Sequence, residues 1–223
     1  MTRHFPLAAL LALTLAAPLA AQTTDHSGHY MGADHAAHGM GTDSPATTAF
    51  REANARMHSG MDIPFTGNAD IDFIRGMIAH HQGAIDMSEI VLKHGRDASV
   101  KKLANEIIAA QKKEIAQMQA WLARNGSQPA SADSAAVIKA FTDVNIRMHK
   151  DMTMTFSNNA DVDFMKGMVP HHIGAVDMAK VLLQFGKDPE LRKIAEDVVR
   201  TQNEEITLMR GWLARNGGAG HKH

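Results

Sequence analysis

The chain contains no cysteine in 223 residues. This excludes disulfides, thiolate metal sites and a cysteine-linked lipid anchor, and it is compatible with an oxidising compartment. Charge of one sign is also missing. The formal net charge is −1, which gives no basis for nucleic-acid binding. Aromatic residues make up only 5% of the chain. No Gly-x-Ser-x-Gly, P-loop or Rossmann glycine pattern occurs, nor a His-Glu-x-x-His zinc motif. Glu-x-x-His is absent too, although di-iron helical bundles need it on two helices. Beyond the first twenty or so residues, no apolar run is long enough to span a bilayer.

Methionine (15) and histidine (14) are present in excess. The N-terminus reads as an export signal over residues 1–21: Arg3, an apolar run over 5–19, then Ala20 and Ala21. The mature protein is therefore expected to be periplasmic or secreted. Residues 22–44 hold His26, His29, Met31, His35, His38 and Met40 with almost no core-forming side chains. This composition predicts a disordered metal-binding tail, with a solubilising linker as the plainer reading.

The remainder is duplicated. Residues 50–126 align with 141–217 at a constant offset of 91, with 35 of 77 positions identical. Each copy predicts three helices. The first copy spans 45–126 and the second 134–217, joined by a linker over 127–133 and followed by a flexible tail over 218–223. Ser44-Pro45, Asp97 and Asp188-Pro189 read as helix starts, and Gly95 and Gly186 as stops. The expected fold is all-α. Four long helices form a bundle of pseudo-twofold symmetry with two shorter helices outside, the alternative being two separate three-helix units.

The middle helix of each copy carries the chemistry. At 100° per residue, Met77, His80, His81, Ala84 and Met87 share an arc of roughly 120°. Met168, His171, His172 and Met178 repeat it. Gly76 and Gly83 lie beside the arc and would admit a neighbouring helix closely. The first helices add Met57, His58 and Met61, and Met148, His149, Met152 and Met154. On the third helix, Gln111 and Glu114 (Gln202 and Glu205 in the second copy) interrupt an apolar seam. A carboxylate there needs a partner, and Glu114 is expected either to orient His80 or His81 or to sit at a bundle edge.

Thioethers are poor ligands for Mg²⁺, Ca²⁺ or Fe³⁺ but good ones for Cu(I), while imidazole also suits Cu(II) and Zn²⁺. Mixed Met and His sites without cysteine therefore point to copper: Cu(I) in the bundle, Cu(II) or Cu(I) at the tail. The competing reading makes the methionines gap-filling core, which is the reading adopted for Met118 and Met209. His94 is replaced by Phe185 in the second copy and is read as non-functional. Pro170 stands where the first copy has Ala79. It removes a bond to the Lys166 carbonyl, and the two copies are expected to differ in geometry and affinity.

The stretches 72–87 and 163–178, with Gln-x-x-Glu-Ile-x-x-Met-x-x-Trp-Leu over 111–122 and its near-copy over 202–213, resemble the family known as domain of unknown function 305. The resemblance implies a ferritin-like exported helical bundle. Members of its CopM type are periplasmic copper-binding proteins linked to copper resistance. Carried over residue by residue, it implies copper binding through Met77, His80, His81 and Met87, and through Met168, His171, His172 and Met178. The expected function is a non-enzymatic copper buffer or carrier, with other exported copper-handling proteins as partners. The alternatives are a ferritin-like metalloenzyme using Glu114 or Asp86, and a structural or partner-binding bundle. Asp86 projects away from the His-Met arc, which disfavours it as a ligand.

Overall fold

The computed structural model describes residues 43–126 and 129–216. The signal segment, the tail histidines His26, His29, His35 and His38, and the C-terminal tail lie outside the described residues. Six helices follow in order: α1 (Pro45–Met61), α2 (Ala69–His94), α3 (Ala98–Asn125), α4 (Ser134–Asp151), α5 (Ala160–Phe185) and α6 (Pro189–Asn216).

Local chemistry sets their ends. Side-chain oxygens of Ser44, Asn68, Asp97, Asn159 and Asp188 accept bonds from the first-turn amides of α1, α2, α3, α5 and α6, each contributing about 1 kcal/mol. Gly95 and Gly186 stop α2 and α5 in extended, not left-handed, backbone. Glycine is required there by crowding. A Cβ on Gly95 would strike the Asp161 carboxylate, and one on Gly186 would come within 2.8 Å of Asp70 Oδ1.

Those two contacts show how the copies assemble. Asp161, at the start of α5, accepts from the Arg96 and Asp97 amides of the first copy's α2–α3 turn. Asp70 does the same for Lys187 and Asp188 of the second copy. The helix starts are exchanged likewise: Asn158 of the second copy accepts from Ser44 N and Thr47 Oγ1 at the head of α1.

α2 and α5 form the centre and pack on each other, with α1 and α3 flanking α2, and α4 and α6 flanking α5. They run antiparallel, since Gly76 faces Met178 while Gly167 faces Met87. Both core clusters draw on both copies. One contains Met57, Met61, Met77, Phe141, Met148, Met152 and Met178, and the other contains Phe50, Met87, Val100, Phe164, Met168 and Trp212. The duplication therefore folds as one bundle in which neither copy closes a core alone. α5 is continuous through Pro170.

Candidate functional site

Where α2 and α5 cross, the rings of His80 and His171 meet with centroids 3.7 Å apart and planes tilted by 44°. Both side chains are fully buried. His80 Nε2 lies 3.0 Å from the His171 carbonyl oxygen. A carbonyl only accepts, so Nε2 carries the proton and Nδ1 keeps its lone pair. That Nδ1 is buried without a partner, and so are both ring nitrogens of His171. Burial pushes both imidazoles well below their ordinary value of 6.5, and the neighbouring histidines push them further. At neutral pH they are uncharged, the form that binds a metal.

On one side of the crossing, His81 Nε2 donates to Glu114 Oε2 at 2.6 Å, and His172 Nε2 to Glu205 Oε2 at 2.7 Å. Each bond leaves the opposite nitrogen, Nδ1, buried and free. A carboxylate that fixes the tautomer in this way is the usual support of a metal-binding histidine. Of the two places open to Glu114 on sequence grounds, the structure realises the one beside His81.

On the other side, α1 and α4 bring in His58 and His149, whose centroids are 3.8 Å apart. His149 is exposed and His58 half-buried. His58 is lowered to about 4, first by burial and then by His149. Its Nε2 is buried without a partner. The methionines beside these histidines enter where the central helices lack side chains. A Cβ on Gly83 would lie 2.8 Å from Met57 Sδ. One on Gly174 would lie 2.8 Å from Met148 Sδ and 3.5 Å from His80 Nε2. Small residues beside the arc thus admit the Met148 thioether near His80 and the Met57 thioether onto α2.

The other methionines are spread more widely. Met77 and Met87 are ten residues apart on α2, about 15 Å along its axis, and belong to different core clusters, as do Met178 and Met168. Met154 Sδ and Met87 Cε both lie against Gly167. Groupings therefore form between the copies, whereas the sequence had suggested one set per copy. Met118 and Met209 are fully buried in the two cores. Asp86, on the outer side of α2, pairs with Arg56. Among the described residues, no three His, Asp or Glu side chains come together as a potential metal shell. Sequence reasoning missed Asp70 and Asp161, because their bonds run across 117 and 65 positions.

The profile of the family described as domain of unknown function (DUF305) matches residues 70–213. CopM in a silver-bound form is 35% identical, with a TM-score of 0.52, over 67% of this chain and 97% of that one. CopM in its Cu(I)-bound form is 33% identical, with a TM-score of 0.51, over 66% of this chain and 96% of that one. A DUF305 protein from Streptomyces coelicolor, described as a candidate secreted protein, is 28% identical, with a TM-score of 0.56, over 71% and 99%. An uncharacterised protein, L153, of Acanthamoeba polyphaga mimivirus is 36% identical over 53 residues, and the match spans 35% of its length.

Proposed function

The chain belongs to the DUF305 family, and from that premise we propose that it is an exported copper-binding protein that buffers or carries copper through Met and His side chains. The observation that carries this reading is the crossing of α2 and α5. There, buried neutral imidazoles carry unpartnered nitrogens, the Met148 thioether and His80 both lie against Gly174, and the Met57 thioether lies against Gly83. Unpartnered polar atoms in a core cost about 1–3 kcal/mol each, and a bound soft ion would repay that cost. Support comes also from CopM, whose solved forms include Cu(I)-, Cu(II)- and Ag-bound states.

Copper is cargo in this reading. Neutral sulfur and nitrogen donors favour Cu(I). A monovalent cation in a core needs counter-charge, and Glu114 and Glu205 supply it through the histidines they hold. Exposed His149 and half-buried His58 offer a way in, and His26, His29, His35 and His38 of the tail would collect Cu(II) or Cu(I). No described helix is long and apolar enough to cross a membrane, and delivery to other exported copper-handling proteins is part of the proposal.

The test is an anaerobic Cu(I) competition titration. Substituting His80 and His171 together with Gln, or Met57 and Met148 with Leu, is expected to remove the tight bundle site while helicity persists. Unchanged stoichiometry and affinity in both double variants would overturn the assignment.

A further inference from the structure

α3 and α6 pack on opposite central helices, and a cavity of about 170 Å³ opens between them. Its walls include Gln111, Glu114, Thr201, Gln202 and Glu205. Gln111 and Gln202 are only 3% exposed, and the side-chain oxygen of each is buried without a hydrogen-bond partner. These two residues and the two glutamates are related by the offset of 91, so the cavity is lined by the same Gln and Glu positions of both copies. Each glutamate uses Oε2 for its histidine, and no hydrogen bond engages Oε1.

This donor set is unlike the one at the crossing. It contains neither sulfur nor imidazole, and three carboxylates line it: Glu114, Glu205 and Glu106, the last paired with Lys102. An unpartnered amide oxygen in a core is unfavourable unless something electropositive meets it. Hard divalent cations take carboxylate and amide oxygens together with water, and a cavity of this size holds several waters. We infer that the cavity between α3 and α6 is a second cation site, selective for a hard, oxygen-preferring divalent ion such as Mn²⁺ or Ca²⁺ and held by Gln111, Gln202, Glu114 and Glu205. A cation there ties together two helices that otherwise scarcely touch. It also draws on the carboxylates that orient His81 and His172, so the two sites are coupled.

Mn²⁺ serves as the probe, with the full-length mature chain and electron paramagnetic resonance to count the free ion. The wild type is expected to retain one Mn²⁺ per chain in the micromolar range and to melt at a higher temperature with it. Q111L/Q202L is expected to lose at least tenfold in Mn²⁺ affinity and the thermal shift while keeping its Cu(I) titration. Met57→Leu with Met148→Leu is expected to do the reverse, so failure of one site is distinguishable from failure of the other. Should the leucine variant lose helicity, E114Q/E205Q is the second probe and must also release Mn²⁺. No Mn²⁺ retained below millimolar concentration, or equal retention in wild type and variants, overturns the inference.

Discussion

Acid should destabilise the copper-free protein well above the pH at which carboxylates titrate. His80 and His171 are fully buried and held well below 6.5 in the fold, whereas the unfolded chain titrates them near 6.5. The folded state therefore binds fewer protons. Stability is present above about 6.5 and falls as the pH drops below it. At pH 5.5 an unfolded imidazole gains about 1.4 kcal/mol from protonation, against about 0.2 at pH 7. The two rings together thus remove about 2.5 kcal/mol over that interval, a large share of a typical 5–15 kcal/mol. His58 acts with the same sign, but its half-exposed ring is screened and adds less. Asp97 and Asp197 are shifted below 3.8, so they act only at lower pH. The assay is urea unfolding followed by circular dichroism at pH 5.5, 6, 6.5 and 7, in wild type and in His80→Gln with His171→Gln. The variant should lose most of the pH slope. An equal slope in both proteins would refute the claim that these rings are buried uncharged.

Other expectations concern the supports of the site. Glu114→Gln with Glu205→Gln should weaken Cu(I) binding about 10- to 100-fold, read by competition titration, while leaving the fold intact. Gly83→Ala would set a Cβ 2.7 Å from Met57 Cγ and should cost about 1–3 kcal/mol of stability. Gly60→Ala, whose nearest neighbour is 3.4 Å away, should instead raise stability by up to about 1 kcal/mol, and thermal melts separate the two. Asp161→Ala frees the Arg96 and Asp97 amides and should cost about 1–3 kcal/mol in chemical denaturation.

The helices were legible because their signals are local. Ser44-Pro45, Asp97 and Asp188 cap within three residues, and the duplication aligns without a gap. Glycines beside the His-Met arc also announced a close approach, and Met57 and Met178 fill it. The pairing of the copies was not legible. The 91-residue offset relates His80 to His171, but nothing local says that the two rings meet across an antiparallel crossing. For the same reason Met77 and Met87 read as one site along α2, although the other copy's helices draw them into separate cores. Glu114 could be narrowed to two places, and only tertiary packing chose His81. Pro170 implied a difference between the copies. α5 is nevertheless continuous through it.

X-ray absorption at the copper edge of the Cu(I)-loaded chain tests the central claim most directly. The account predicts a shell containing both sulfur and imidazole nitrogen, with the sulfur contribution falling when Met57 and Met148 become Leu. A shell of nitrogen and oxygen alone, unchanged by that substitution, would contradict it.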